Sequence, residues 1–252
     1  NLVSDVRLKR YIRDYFEDNK GEEIFISNKA KEAKERNKQI QEIGKGHLDL
    51  IDVRLFGAVT AEEDKGGHFT GPVQFNWGYS LHPVEMVDSS TITSSFSGGQ
   101  GIGKDYRLYY SLIAFSGSIN ANTAKETNLS EADLQLLDEA MLNSIPLART
   151  RTKIGQYPRL YLRIELKGKD KFLKDLRSMI EVTSKDLKIA QNLRLIRKPE
   201  DYELNIKSLI EYLEQNKDLI SGIYYWKDEQ ISIPEFDKIF IQENWKKPLS
   251  LK

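Results

Sequence analysis

Residues 129–167, LSEADLQLLDEAMLNSIPLARTRTKIGQYPRLYLRIELK, contain a helix pattern followed by a strand pattern, and this succession decides the fold class. Ser130 is placed to cap a helix, and Asp133 stands three residues later, as in a capping box. The apolar residues of the following stretch recur on one helical side; they are Leu134, Leu137, Met141 and Leu142. Residues 159–167 then alternate apolar and polar side chains, which predicts a strand with one wet face.

Toward the amino end, two more stretches have strand character. Residues 109–121, YYSLIAFSGSINA, and residues 48–59, LDLIDVRLFGAV, are rich in apolar and β-branched side chains, and each is predicted to form a strand. The polar, Gly-rich segment between them, residues 60–105, is too long for a plain connector and is predicted to be a functional insertion with its own hairpin.

Two helices are predicted before the first of these strands. Residues 2–16 show an amphipathic pattern in which Ser4 is the candidate N-cap. Its apolar side comprises Val6, Leu8, Tyr11 and Ile12, and its basic residues lie on the other side or its flank. Residues 29–43 are mixed Lys and Glu and predict a solvated second helix.

The predicted order of the middle of the chain is therefore α-β-β-α-β. This is one leading strand short of the ferredoxin-like, split βαβ unit of an RRM-like domain, an α/β fold of the α+β kind. The chain starts with Asn rather than Met, so we expect the leading strand upstream of residue 1. Beyond residue 168, helices are expected at about 170–180, 184–192 and 205–216, and a hairpin-like segment at 222–233.

Charge is balanced overall, with 38 Lys and Arg against 38 Asp and Glu, but it is unevenly distributed. Residues 149–177 contain ten basic and three acidic residues, a local net charge of +7. Residues 200–243 contain four basic and eleven acidic residues, a local net charge of −7. The first segment could bind an anion and the second could meet a basic face of another subunit. Two solvated faces are the alternative.

Several classes of protein find no support in the composition. Cysteine is absent, which excludes disulfides, thiolate zinc sites and cysteine nucleophiles and is compatible with a cytoplasmic location. The three histidines, His47, His68 and His82, are scattered without a metal-ligand spacing, so no metal or cofactor is predicted. No apolar stretch approaches the ~18 residues of a membrane helix, and no membrane association is predicted.

Two stretches admit an enzymatic interpretation. Asp49 and Asp52 could bind a divalent ion and activate water against a phosphodiester. Their spacing of three would put them on opposite faces of a strand, which favours a surface or salt-bridged role. GGQGIGK, residues 98–104, resembles a phosphate-binding loop, but neither Ser nor Thr follows the lysine. A flexible hairpin tip is the alternative for this loop.

Basic residues are the stronger candidates for function. Lys9, Arg10 and Arg13 share one predicted helix, and Arg54 lies on a predicted strand. The extended run ARTRTKIG places three further cations on one side, with hydroxyls between them as in phosphate recognition; these are Arg149, Arg151 and Lys153. Aromatic residues near basic groups are candidate platforms for stacking bases, with a role in the core as the alternative; they are Phe56, Tyr106, Tyr109, Tyr157 and Tyr161.

Several motifs, in order along the chain, resemble the backbone subunit family of Cascade, the type I CRISPR interference complex, and most closely its subtype I-B/I-C branch. They are LVSDVRLKRYIRDY (2–15), DVRLFGAV (52–59), TGPVQF (70–75), ITSSF in the loop and TRTKIGQYPRLYLRIEL (150–166). The resemblance covers roughly residues 2–167. The carboxy-terminal third is compatible with the family only in its helical character.

The resemblance implies an RRM-like palm (residues 1–59 and 106–168), an inserted thumb (60–105) and a helical extension (169–252). It implies a subunit that polymerises along the guide RNA (crRNA), helps to hold the target DNA strand, contacts other Cascade subunits and is not an enzyme. By the resemblance, Lys9, Arg10 and Arg13 fall in the basic first helix of the family and Arg54 falls in its D-x-R-L-F-G strand. The full set of predicted RNA-binding residues is Lys9, Arg10, Arg13, Arg54, Phe56, Lys104, Arg107, Arg149, Arg151 and Lys153. The implied residues of the thumb that displace a guide base are Val84, Glu85 and Met86.

Two alternatives to a guide-binding subunit stay open. Related backbone subunits of type III complexes cleave RNA with a loop aspartate, so a metal-dependent endoribonuclease is the main rival. A sequence-specific regulator of nucleic acid is the third possibility, and it would show strong preference among RNAs or DNAs of equal length.

Overall fold

A computed structural model describes residues 1–59, 68–93, 102–148 and 154–250, with the backbone alone at 88–93 and 102–105. The structure is a mixed α/β fold of small sheets and helices. The helices are α1 (Asp5–Lys20), α2 (Ala33–Glu42), α3 (Ile51–Phe56), α4 (Ala121–Glu126), α5 (Glu131–Asn143), α6 (Leu187–Gln191) and α7 (Lys207–Gln215). The strands of the first half are β1 (Leu2–Val3), β2 (Gly57–Val59), β3 (His68–Thr70), β4 (Val73–Phe75), β5 (Gly78–Ser80), β6 (Met86–Thr93), β7 (Ile102–Leu108), β8 (Ile113–Ala114) and β9 (Gly117–Ile119). Those of the second half are β10 (Leu160–Leu166), β11 (Glu181–Thr183), β12 (Glu203–Asn205), β13 (Ile220–Lys227) and β14 (Lys246–Pro248).

The described strands form two three-stranded sheets, in the orders β1-β5-β8 and β10-β13-β14, and four strand pairs, β2-β3, β4-β9, β6-β7 and β11-β12. Each pairing is antiparallel except that of β13 with β14. Three strands within residues 60–105 thus pair outside that segment, β3 with β2, β4 with β9 and β5 with both β1 and β8. The hairpin β6–β7 pairs only with itself in the described part of the chain.

The core is divided between the two halves of the chain. One apolar cluster joins α1, α3 and α5 through residues such as Ile12, Leu55 and Leu137. A second cluster lies under β10, β13 and α7 and includes Ile223 and the fully buried Trp245.

A buried polar contact ties the two halves together. Asp138 of α5 accepts hydrogen bonds from Arg163 at 2.8 and 2.6 Å and from the Tyr161 hydroxyl at 2.6 Å, both on β10. Burial and the neighbouring carboxylate raise the pKa of Tyr161 well above its usual value, so the phenol stays a hydrogen-bond donor. The guanidinium of Arg163 also lies 3.8 Å from the ring centre of Tyr224.

Several predicted elements are confirmed. Helix α1 begins after Ser4, whose side chain accepts a hydrogen bond from the Arg7 amide. Helix α5 begins after Ser130, and the reciprocal capping box with Asp133 is present. Strand β10 occupies the alternating stretch 159–167. These elements have local signals, a cap or a clear period, which do not depend on distant contacts.

The strand predicted at residues 48–59 is wrong. The stretch forms a helical turn at His47–Asp49, helix α3 and only the three-residue strand β2. Five of the six residues of α3 are buried, and a short apolar run that is buried on all sides carries no period that could separate helix from strand. The predicted order α-β-β-α-β therefore fails at its first strand.

Smaller differences between the predicted elements and the structure also result from packing. Val6, predicted on the apolar side of α1, is exposed, whereas Arg13 on that helix is buried. The second helix is shorter than predicted, and its Ile40 is buried rather than solvated. The hairpin predicted at 222–233 is wrong, because β13 pairs instead with β10 and β14. The helix predicted at 170–180 is reduced to a single turn, Leu176–Met179.

Candidate nucleic-acid interface

The first helix presents two of the predicted cations at its surface. Lys9 Nζ lies 3.3 Å from Asp5 Oδ2 and 3.5 Å from Gln74 Oε1, and 5.7 Å above the ring centre of Phe56. Arg10 donates to the carbonyl of Ile26 at 2.6 Å. Arg10 also pairs with Asp14 Oδ1 at 2.6 Å, and its Nε and Nη2 atoms are buried. Both cations therefore already have a carboxylate partner on the same helix, Asp5 for Lys9 and Asp14 for Arg10.

Arg13, the third predicted cation of this helix, faces inward. Its Nε donates to Asp52 Oδ2 at 3.0 Å, and its guanidinium lies 5.2 Å from the ring centre of Phe56. Burial lowers the pKa of Arg13, although the charge of Asp52 acts in the opposite direction. Asp52 also accepts the backbone N–H groups of Phe25 and Ile26, at 2.7 and 3.0 Å. This network anchors the segment after α1, and it agrees with a salt-bridged rather than a metal-binding role for Asp52.

Arg54 joins α3 to the start of α5. It donates to both carboxylate oxygens of Asp133, at 3.0 and 2.6 Å, and to the carbonyl of Leu48 at 3.1 Å. Burial alone would raise the pKa of Asp133, but the hydrogen bonds from Arg54 and Ser130 outweigh it and hold the pKa below its usual range. The same carboxylate therefore caps one helix and orients the cation of another.

Phe56 is buried between the side chains of Lys9 and Arg13 and the strands that follow it in the chain. Two glycines explain how the backbone fits here. A Cβ on Gly57, whose φ is +75°, would lie 2.1 Å from the carbonyl oxygen of Phe69, and one on Gly71 would lie 2.0 Å from the carbonyl carbon of Phe56. Phe56-Gly57 of the motif DVRLFGAV and Thr70-Gly71 of the motif TGPVQF are thus the two sides of one close backbone contact.

The hairpin β6–β7 contains or adjoins the predicted thumb residues. Met86 opens β6 and is exposed, and Val84 precedes it. Glu85 is ion-paired with Arg197, whose guanidinium lies 4.3 Å from the ring centre of Tyr109. The base of the hairpin is therefore attached to the carboxy-terminal half.

The remaining predicted cations divide between described and undescribed parts of the chain. Arg107 is exposed on β7, opposite Val87. Lys104 lies on β7, but its side chain is outside the described residues, as are Arg149, Arg151 and Lys153 and most of the Gly-rich loop 98–104. Of the five aromatic candidates, Tyr106, Tyr109 and Tyr157 are exposed.

The sequence gives little indication of a surface cleft of about 390 Å³ that is lined by Asn76, Trp77, Tyr79 and Arg177. Arg177 lies a hundred residues from Trp77, yet donates to its carbonyl at 2.7 Å. The part of the sequence that could have indicated this cleft is the stretch FNWGYS at 75–80, in which aromatic residues flank a glycine.

Comparison with known proteins identifies the family of the chain. The profile of the family described as CRISPR-associated protein Cas7 matches residues 1–207, more than half of the chain. The chain belongs to the Cas7 family. The matched residues include α1, α3, the hairpin β6–β7 and α5, the elements that hold the candidate interface.

A curated Cas7 relative and two solved structures extend the likeness. The CRISPR-associated protein Cas7 of Haloferax volcanii is 28% identical over 286 aligned positions, which cover 97% of this chain and 82% of the relative. A chain of a CRISPR RNA-guided surveillance complex superposes with a TM-score of 0.55 at 14% identity, covering 100% of this chain and 82% of that one. A chain of such a complex in a pre-nicking state gives a TM-score of 0.53 at 12% identity, covering 100% and 88%. At these identities the structural likeness establishes a shared fold.

Two further observations concern the described part of this Cas7 chain. Residues 1–59, 68–93, 102–148 and 154–250 contain no group of three or more His, Asp or Glu side chains arranged to hold a metal ion. Among the same residues, no helix is both long and apolar enough to cross a membrane.

Proposed function

We propose that this chain is a guide-RNA-binding backbone subunit of a type I CRISPR interference complex. Several copies would bind along the guide RNA, help to hold the target DNA strand and contact other subunits of the complex in the cytoplasm. The observation that carries the proposal is the Cas7 family match over residues 1–207, which spans the basic helix α1 and the hairpin β6–β7. The sequence motifs further favour subtype I-B/I-C and an RRM-like palm.

The contacts of the described residues separate the predicted cations into two groups, those proposed to bind phosphates and those that support the fold. Lys9 and Arg10, whose partners Asp5 and Asp14 lie on the same helix, are proposed to bind phosphates together with the exposed Arg107. The cations of the run 149–153 lie outside the described residues and are proposed from the sequence alone. Arg13, Arg54 and Phe56 instead hold the supporting structure, since Arg13 and Phe56 are buried and both arginines donate to buried carboxylates of other elements, Asp52 and Asp133. In this proposal the hairpin β6–β7 is the thumb, with Val84, Glu85 and Met86 at its base.

We further propose that the chain is not itself a nuclease. The two oxygens of Asp52 accept three hydrogen bonds from Arg13, Phe25 and Ile26, which leaves this carboxylate ill suited to a metal ion. Asp49 accepts the Gly46 amide at 2.7 Å in a local cap. Incubating RNA with the purified protein and Mg²⁺ or Mn²⁺ is expected to leave the RNA intact, and cleavage would favour the endoribonuclease alternative.

The proposal is tested by RNA binding at several salt concentrations. If phosphates dominate, log Kd rises with log salt, with a slope of about 0.7 per phosphate neutralised on a single strand. Reversing charge with Arg151→Glu and Lys153→Glu should weaken binding to all RNA sequences alike and reduce that slope. The matched control is Lys185→Glu with Lys188→Glu, an equal charge change on another exposed segment. Binding that does not depend on salt would refute the proposal, and an effect confined to one sequence would indicate a regulator.

A further inference from the structure

A pair of exposed aromatic rings flanks the first sheet. Trp77 is 47% exposed and Tyr79 is 50% exposed. At Gly78, between them, the side-chain position faces inward, because an added Cβ would lie 2.7 Å from side-chain atoms of both Ile113 and Phe115. Because successive side chains of a strand point to opposite faces, the close packing at Gly78 directs its two aromatic neighbours toward solvent.

Arg177 completes the cleft from a different part of the chain. Its Nη1 donates to the carbonyls of Trp77 and Ala114, at 2.7 and 3.4 Å, and its Nε donates to Asp175 at 3.1 Å. These bonds fix the guanidinium 5.8 Å from the ring centre of Tyr79. A guanidinium fixed in this way is a flat surface on which another planar group can stack.

The local charge favours a neutral planar ligand over a phosphate. Arg177 is neutralised by Asp175, whose pKa the guanidinium holds below its usual range. The remaining lining residue, Asn76, contributes an amide of the kind that hydrogen-bonds the edge of a nucleobase. Two aromatic rings, a guanidinium plane and an amide are the usual components of a site for an unpaired base.

The cleft is close to the cationic face of α1. Lys9 contacts Gln74, and the chain from Gln74 to Trp77 can span at most about 11 Å. A strand whose phosphates lie at Lys9 could therefore place a base at the cleft. We propose that Trp77, Tyr79 and Arg177 form a stacking site for an unpaired nucleobase of a single-stranded nucleic acid. The inference rests on the proposed function and adds a site to it.

The test compares Trp77→Ala/Tyr79→Ala with the wild type. The probes are single strands of 5-iodouridine RNA, the corresponding 5-iododeoxyuridine DNA and an abasic strand of equal length. The alanine pair should weaken binding of the base-carrying strand by about fivefold or more, with an unchanged salt slope, because a stacking contact is lost and no phosphate contact is. Its affinity for the abasic strand should equal that of the wild type. Illumination should cross-link the iodinated base to Trp77 or Tyr79, and the RNA and DNA arms identify which strand occupies the site.

Two control variants limit the interpretation. Trp77→Phe/Tyr79→Phe keeps two rings and should bind like the wild type, and Phe172→Ala removes an exposed ring elsewhere and should have no effect. Equal affinities with no cross-link at Trp77 or Tyr79, while the wild type still binds RNA in a salt-dependent manner, would overturn the inference and leave the proposed function standing. Loss of assembly between copies without loss of single-copy binding would also overturn it, since the patch would then be a protein contact. A wild type that binds neither strand would overturn both.

Discussion

Individual acidic residues organise the surface on which the predicted cations lie. Asp52, Asp133 and Asp138 are buried, and each pairs with an arginine from a different element. Removing one partner of a buried pair leaves an uncompensated charge, which costs more than the pair itself contributes. These carboxylates are therefore the single residues on which the positions of α1, α3 and β10 depend most.

Asp52→Asn is predicted to lower the free energy of unfolding by about 3–5 kcal/mol, because Arg13 would keep its charge inside the protein without a counter-charge. Urea unfolding at neutral pH measures the change. The control Asp49→Ala removes an exposed carboxylate of the same segment that caps a single turn, and it should cost about 1 kcal/mol or less. Removing both charges with Arg13→Met/Asp52→Asn should be less harmful than Asp52→Asn alone. A loss below about 1 kcal/mol for Asp52→Asn would contradict the prediction.

His82 predicts a pH dependence of stability. It is buried, its Nδ1 lies 2.8 Å from the carbonyl of Pro83, and its Nε2 accepts the Leu112 amide at 3.2 Å, which requires the neutral ring. Burial lowers its pKa below the ordinary value of about 6.5. As the pH falls below about 6.5, the unfolded chain takes up a proton before the folded protein does, so stability is lost with falling pH.

The measurement is the urea midpoint at pH 7.5 and 5.5 for the wild type and for His82→Gln. The stability advantage of the wild type over this variant should shrink at the lower pH, because only the wild type protonates His82 on unfolding. His68→Gln, at an exposed position, should follow the pH dependence of the wild type. An advantage of the wild type over His82→Gln that is equal at both pH values would show that burial does not perturb this histidine.

At the scale of elements, the hairpin β6–β7 stands apart from the sheets around it. Its strands pair with each other from Met86↔Leu108 to Thr93↔Ile102, and among the described residues they pair with no third strand. Its attachment is at the base, through Glu85 and Arg197. An element built in this way can be removed without breaking the pairing of β4, β5, β8 and β9.

Replacing residues 88–105 with a short Gly/Ser linker should leave the rest of the chain folded, since Glu85–Arg197 and the two sheets are retained. It should abolish the periodic nuclease-protection ladder of the guide RNA if the hairpin is the thumb. Circular dichroism and the protection ladder are measured together, and Met86→Ala is the milder comparison. A ladder that persists would contradict the thumb assignment, and a chain that fails to fold would show that the hairpin is part of the core.

At the scale of the whole molecule, charge is unevenly distributed along the second half of the chain. The basic run 149–177 and the acidic run 200–243 have local net charges of +7 and −7. Neighbouring copies on one guide could bring such surfaces together, and complementary charges mainly affect the rate and orientation of association.

The chain is therefore predicted to assemble in several copies on a long guide RNA and in one copy on a short one, as measured by mass. Glu211→Lys/Glu229→Lys, at two exposed acidic positions, should weaken assembly severalfold without weakening single-copy binding. Lys38→Glu is the control outside both charged runs. A single copy on a long guide at saturating protein would contradict the prediction.

The sequence by itself determined the elements that carry local signals. The caps at Ser4 and Ser130 and the alternation of 159–167 depend on neighbours along the chain, so α1, α5 and β10 could be predicted from the sequence. The ordered motifs likewise identified the family that the comparison with known proteins shows.

Only the tertiary structure decided how the cations and aromatic residues are used. The stretch that forms helix α3 has the sequence pattern of a strand because it is buried on nearly every side. Arg13 lies inside the protein because Asp52, thirty-nine residues away, holds it there. The cleft at Trp77 needs Arg177 from a hundred residues away. Burial and long-range pairing arise when distant segments pack together, so the pattern of neighbouring residues in the sequence does not predict them.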